Sequence, residues 1–358
     1  MVEIGGLFSK KLVAGLDIGS SSLKLVEILD TAEGYFLNSF SQTELDRGVI
    51  VDGVLREPDA LSQKIKGIFK ASGCKTKRIV ASLSGHPVIA KRVGFPKMDE
   101  KELRDLINDE GEKYLPFDDM EDVNFDFQML GDSDVNPAQM DVLIVAAKKD
   151  IIDRYTDAIE KAGLKALIMD VDSFALETMY ETNYDFEEGD IVVLVNIGAS
   201  MTNINVLKSG GSIFTRDFSM GGTGITETMR EKMGVTFEDA QAAILEVERM
   251  DEAEGSELRK DLIDCADPLF SEIERSVDYF RSTYVGEYIK RVLVSGGCAK
   301  IPGLVGALSQ RLDIEAETVN PFKNISYDKK TFDSTYMEDI GPVAAVGVGL
   351  ALRRIDDR

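Results

Sequence analysis

"GLDIGSSSLKLVEI", residues 15–28, runs from an apolar segment into an Asp, a Gly and three serines, then into an alternating apolar stretch. Strand-like patterning on both sides of a short polar break reads as a β-hairpin. Two readings of its tip stand side by side. In one, Gly19 supplies backbone freedom while Asp17 and the serines bond to nearby backbone, giving an ordinary tight turn. In the other, successive backbone N–H groups converge on an anion, with Ser20, Ser21, Ser22 and Lys24 as further donors. Asp17 then stands where a magnesium ion, or its water shell, needs an acidic partner.

A second stretch repeats the theme. "VVLVNIGASMTNINVLKSG", residues 192–210, is again an apolar strand, then Asn196, Ile-Gly, small polar residues and an alternating strand. An internal repeat at such a separation is the mark of a duplicated domain.

The bounds agree with a two-part molecule. At 358 residues the chain exceeds one ordinary core and fits two domains or one bilobed unit. A formal charge of −23 argues against nonspecific nucleic-acid binding, which needs clustered Lys and Arg, and against adhesion to anionic lipid. Cys74, Cys265 and Cys298 show neither metal-ligand nor disulfide spacing, which suits a reducing cytoplasm. The sole histidine, His86, reads as a turn or surface residue, too isolated for a catalytic triad or a zinc site. No apolar run is long enough to span a bilayer, and the opening "MVEIGGLFSKKLVAGLDIG" lacks a signal-peptide pattern. The expectation is a soluble cytoplasmic protein with no nucleic-acid partner and no direct membrane insertion.

Along the chain, residues 12–86 read as three strands, a helix with Leu61, Ile65, Ile68 and Phe69 inward, and a further strand. From 87 to 163 a strand, a helix, two strands and a helix form an α/β block, with Asp99 and Glu102 spaced as a capping box. Leu103, Leu106, Ile107 and Tyr114 make the buried stripe of its first helix. A strand leads into "DSFALETMY", the repeat follows as three strands, and helices run to about 285. "KRVLVSGGCAKIPGLVGALSQRL" is strand, Gly-Gly turn and helix, and "DIGPVAAVGVGLALRRI" a final helix of small residues.

Five segments in order, "LDIGSSSLK", "MDVDSFAL", "VNIGASMTNI", "VLVSGGCAKIPGL" and "IGPVAAVGVGLALR", resemble the actin-like ATPase superfamily over essentially the whole chain. Within it the chain is most similar to the PilM family of type IV pilus assembly, with FtsA-like division proteins next. The short opening before the first strand, the block at 87–163 and "TVNPFKNI" at 318–325 carry that likeness. The end at "RRIDDR" lacks the basic amphipathic tail of FtsA-like proteins.

The resemblance implies an α/β fold of two lobes, each with a five-stranded ribonuclease H-like sheet flanked by helices, plus an extra α/β subdomain. It divides the chain into a first-lobe core (10–86, 164–188, 338–356) carrying the inserted 87–163. A second-lobe core (189–225, 289–337) follows, with a helical subdomain at 226–288. It further implies ATP and Mg²⁺ between the two turns. Asp17, Gly19, Ser20, Ser21, Ser22 and Lys24 would bind from one side, and Asn196, Gly198, Ala199, Ser200, Gly221 and Gly222 from the other. Gly296 and Gly297 would let backbone approach the nucleotide, and Asp172 would take the place of a water-orienting group.

Relatives usually carry Asp where this chain has Asn196, and Glu and Lys where it has Gln241 and Ile244. Phosphate binding survives these changes, while slow or absent hydrolysis is the expectation. The implied role is a scaffold that binds the N-terminal tail of an inner-membrane PilN-like partner, and so sits peripherally at that membrane. Phe95, Leu103, Leu106 and Tyr114 are the candidate groove residues, with their own subdomain core as the competing reading. Other platform and motor proteins, and self-association, complete the implied partners. The alternatives are an FtsA-like filament protein and a small-molecule kinase of the same fold.

Overall fold

A computed structural model describes residues 13–354, without 86, 118, 134–135, 248–249 and 251–254. The expectations for His86 and for most of the opening segment therefore lie outside the described residues.

The first hairpin forms as read. β1 (Ala14–Ile18) and β2 (Ser22–Thr31) pair antiparallel around Gly19–Ser21, and β3 (Gly34–Glu44) pairs with β2. A ribbon of β4 (Ile50–Val51) and β5 (Val54–Leu55) leads to α1 (Pro58–Ser72), which buries Leu61, Ile65, Ile68 and Phe69, and to β6 (Arg78–Leu83). Next come β7 (Val88–Pro96), α2 (Glu100–Glu110), β8 (Val123–Asp132) and β9 (Gln139–Lys148), whose strands form a separate antiparallel sheet in the order β7-β9-β8. The capping box is present: Asp99 accepts from the Glu102 N–H and Glu102 from the Asp99 N–H. α2 ends at Glu110 and passes into a 3-10 turn at Gly111–Lys113, so Tyr114 leaves the stripe predicted for it.

α3 (Lys149–Lys161) turns back and buries Tyr155, Ala158 and Ile159 with Leu61 and Ile65 of α1, so its apolar face belongs to the first lobe's core. β10 (Lys165–Val171) and α4 (Asp172–Asn183) follow. The second lobe repeats the plan with β11 (Ile191–Ile197), β12 (Thr202–Lys208) and β13 (Gly211–Phe218). Helices α5 (Gly222–Met233), α6 (Phe237–Val247), α7 (Ser256–Cys265) and α8 (Asp267–Thr283) then precede β14 (Ile289–Ser295), α9 (Leu304–Leu312) and β15 (Ala316–Thr318). The sheet order is β13-β12-β11-β14-β15, five strands as expected.

The first sheet differs from the expected five. β16 (Ile325–Tyr327) runs parallel to β3, giving six strands in the order β10-β6-β1-β2-β3-β16. α10 (Ser334–Leu352) begins five residues before the apolar run that announced it, because the Asp333 side chain accepts from the Tyr336 N–H at 2.8 Å and caps its first turn. Its glycines permit contact of backbone on backbone. A Cβ on Gly349 would lie 1.7 Å from the Ala175 carbonyl of α4, and one on Gly15 of β1 would lie 2.3 Å from the Gly347 carbonyl. Thus α4 and α10 cross closely beneath β1, and the first turn projects from there toward the second lobe.

Candidate functional site

Antiparallel register places Asp17 directly opposite Lys24, and the two ions pair at 3.2 Å with both side chains largely buried. The Gly19 N–H donates to the Ser22 carbonyl at 3.1 Å and closes the turn. The three serines diverge. Ser21 is exposed and Ser22 buried, while Ser20 faces the other lobe. There Ser200 Oγ donates to Ser20 Oγ at 2.7 Å.

The second turn is built alike. The Gly198 N–H donates to the Met201 carbonyl at 2.9 Å, and Asn196 stands opposite Asn203 as Asp17 stands opposite Lys24. Asn196 Nδ2 donates to Asn203 Oδ1 at 3.1 Å, and Ser295 Oγ donates to Asn196 Oδ1 at 3.2 Å. Asn203 Nδ2, by contrast, is a buried donor with no acceptor among the described residues. The start of α5 lies against this turn, with Gly222 N–H donating to the Gly198 carbonyl at 2.9 Å and Thr223 N–H to that of Ala199 at 2.7 Å. Gly221 is required by this approach, since its Cβ would stand 2.4 Å from the Gly198 oxygen.

Of the glycine pair after β14, Gly296 has a steric reason within the chain itself. Gly296 has φ of 88°, and a Cβ there would lie 2.3 Å from the Ile197 carbonyl, so this protein's own backbone excludes a side chain. A Cβ on Gly297 would meet nothing within 4 Å.

Asp172, the first residue of α4, accepts from Ser82 Oγ at 2.5 Å. Burial, then the negative charge of Asp17, pushes its carboxyl up to about 7, against the pull of hydrogen bonds from Ser82 and Ser84; Asp217 raises it further. It can therefore hold or release a proton near neutrality. Asp217 of β13 accepts from the Gly85 N–H at 3.0 Å, a second contact between lobes. On the hinge side, Asn205 Nδ2 donates to the Ser173 carbonyl at 2.8 Å, and Glu177 of α4 accepts from both the hydroxyl and the N–H of Ser212. Burial raises Glu177 to about 7, with Ser212 pulling it down and Glu181 pushing it up.

Asp217, Ser82, Ser295 and Asn203 were not legible as site residues. Asn203 had a signal: it follows Asn196 at the spacing by which Lys24 follows Asp17, seven residues in each repeat. Of the two α6 positions where relatives carry Glu and Lys, Ile244 lies in the second lobe's core while Gln241 is exposed.

The four groove candidates also separate. Phe95 and Leu103 are both 0% exposed in the core of the three-stranded sheet, because α2 closes over that face. This corrects their assignment to a groove. Leu106 is partly buried against the same core. Tyr114, with its ring centre 4.6 Å from that of Phe95, lines a groove of about 460 Å³ with Ile89, Lys91 and Pro116. A second concavity of about 490 Å³ shares Pro116 and is lined by Phe117, Asp119, Asp122, Lys148 and Asp150. β7 is an edge strand, so one side of its backbone is unpaired within its sheet.

Among the described residues no helix is long and apolar enough to cross a membrane. The family model for type IV pilus assembly protein PilM matches residues 15–355. A solved PilM–PilN type IV pilus biogenesis complex is similar with a TM-score of 0.82 and 27% identity, covering 97% of this chain and 99% of that chain. The ethanolamine utilization protein EutJ from Carboxydothermus hydrogenoformans is similar with a TM-score of 0.58 and 15% identity, covering 98% and 92%. MreB 5 of Spiroplasma citri, solved with AMPPNP bound, gives 0.51 and 11%, covering 94% of each chain. The last two likenesses concern the fold, which is the actin-like one that the five-segment resemblance implied.

Proposed function

The chain belongs to the PilM family of type IV pilus assembly proteins, and from that premise we propose that it is the actin-like scaffold that docks the N-terminal tail of a PilN-like partner. The likeness to the PilM–PilN complex over 97% of the chain is the observation that carries this reading. The groove beside Tyr114 and the edge of β7 suit an extended peptide, which would gain backbone hydrogen bonds from the strand and apolar contact from Tyr114 and Pro116. Held in this way, the chain sits at the cytoplasmic face of the inner membrane through its partner. It thereby links that partner to the other platform and motor proteins.

The two turns are the nucleotide's place in this reading. The buried Nδ2 of Asn203 lacks an acceptor among the described residues, and the N-terminus of α5 lies against the second turn, which fits an anionic group between the lobes. ATP is the proposed ligand. Among the described residues no three acidic, Cys or His side chains gather as a metal site, so Mg²⁺ would be held chiefly by phosphates and water with Asp17 oriented on that shell. Bound there, it would neutralise phosphate charge. With Asn196 spent on Asn203 and Ser295, hydrolysis is slow or absent in this proposal.

Calorimetric titration with a synthetic PilN-type N-terminal peptide, and separately with ATP–Mg²⁺, tests both halves. Saturable peptide binding is the expected result. A folded chain that takes nucleotide and ignores the peptide would overturn the docking role and reopen the filament and kinase readings.

A further inference from the structure

Arg47 reaches from the first lobe onto two helices of the second. It lies two residues beyond Leu45, whose N–H donates to the Ser21 carbonyl at 2.8 Å and ties the end of β3 to the first turn. Its guanidinium carbon stands 3.7 Å from the centre of the Phe237 ring, at the start of α6. One of its nitrogens, Nη2, lies 3.7 Å from Glu227 Oε1 on α5. α5 itself starts on the second turn, through Gly222 and Gly198. The contact therefore bridges the lobes just outside the two turns.

Its construction suits repeated opening. The Arg47 side chain is 62% exposed, so it can swing into water without leaving a cavity. Glu227 keeps a second cation, since Arg230 Nε lies 2.8 Å from its other oxygen, and parting from Arg47 strands no carboxylate. The hinge-side contacts are of another kind: Asn205 to Ser173, and Ser212 to Glu177, join buried or part-buried groups near the α4 and β12–β13 junction. Beside the turns, Ser200 to Ser20 and Gly85 to Asp217 also cross between the lobes, but both bonds are part-buried, and the Arg47 stack is the exposed contact among them.

We infer that Arg47 is a latch that slows release of a nucleotide held between the two turns. This rests on the nucleotide reading given above. A planar guanidinium over an aromatic face in an exposed setting is worth about a two- to fivefold change in a rate that depends on breaking it.

The experiment chases a fluorescent ATP analogue from the full chain with excess ATP in a stopped-flow instrument. Arg47→Met and Phe237→Leu should each release it about two- to fivefold faster than the parent, with unchanged thermal midpoints, and the double substitution should add little to either. Arg47→Lys, which keeps the charge near Glu227 but loses the planar stack, should fall between. Identical release rates in a chain that does bind the analogue overturn the latch and leave nucleotide binding intact. If the parent chain binds no analogue, the nucleotide reading fails with it. Small-angle scattering of the ligand-free chain then decides whether Arg47 fastens the lobes. A larger radius of gyration for Arg47→Met supports the fastening, and superimposable profiles overturn it.

Discussion

Ser200 Oγ hydrogen-bonds to Ser20 Oγ across the cleft, joining two turns that lie 180 residues apart in the chain. The two turns hold each other through this bond, and a phosphate seated between them, as proposed, would compete with it. Replacing either serine by Ala should cost about 1 kcal/mol in urea unfolding, and a double-mutant cycle should return a coupling of similar size. A coupling near zero would mean the hydroxyls merely lie close.

Asp17→Asn should weaken ATP–Mg²⁺ binding by about tenfold or more, because the carboxylate orders Lys24 and would orient the metal's water. Isothermal titration reads this directly. Unchanged affinity would place the nucleotide somewhere other than the two turns.

Asp172 and Glu177 are both raised to about 7 in the folded chain, from ordinary carboxylate values of 3.8 and 4.5. Across the window from about pH 4 to 7 the folded state therefore holds more protons than the unfolded one. Stability contributed by these two groups is full below that window, falls as pH rises through it and is lost above about 7. Asp172→Asn and Glu177→Gln should each flatten the fall. Urea midpoints at pH 5, 6 and 7 measure it, and parallel curves for parent and variants would refute the assignment.

Phe95 and Tyr114 touch, yet their substitution should separate stability from docking. Phe95→Ala removes a fully buried ring and should cost about 3–5 kcal/mol. Tyr114→Ala should cost far less stability but weaken binding of a PilN-type peptide about tenfold. Peptide affinity that ignores Tyr114 would move the docking site off this groove.

Gly349→Ala places a Cβ 1.7 Å from the Ala175 carbonyl, where backbone leaves no room. We expect a loss of several kcal/mol, read as a lowered thermal midpoint or insoluble expression. Gly306→Ala, on α9 with open space at its Cβ, is the control that should change little.

What was legible was what neighbours in sequence decide. The hairpins, the helical stripe of α1 and the capping box at Asp99 depend on residues a few positions apart, and they formed as read. The repeat extended this reach, because Asp17 and Asn196 could be compared directly. What was missed depended on distant partners. No local pattern shows that Gly296 is set by the Ile197 carbonyl, or that α2 shuts Phe95 and Leu103 away. A strand of three residues such as β16 is too short to carry a period, so its pairing with β3 was invisible. Arg47 stood in a polar loop with nothing to distinguish it until Phe237, far along the chain, came beside it.

The closing of α10 over β1, and of β16 along β3, has a consequence for biosynthesis. The strands at the start of the chain leave the ribosome first, yet the two elements that cover and flank them are translated last. At about 5–20 residues per second, the nascent first lobe waits many seconds with the β1 surface bare. The second lobe waits as well, since Val192, Leu194 and Leu293 share a core with α10 and the Gly296 N–H donates to the Pro342 carbonyl at 2.8 Å. Both halves thus depend on the last helix to be synthesised. A chain stalled before residue 325 would present two sheets that lack the helix they share, an association-prone and ready substrate for chaperones and proteases.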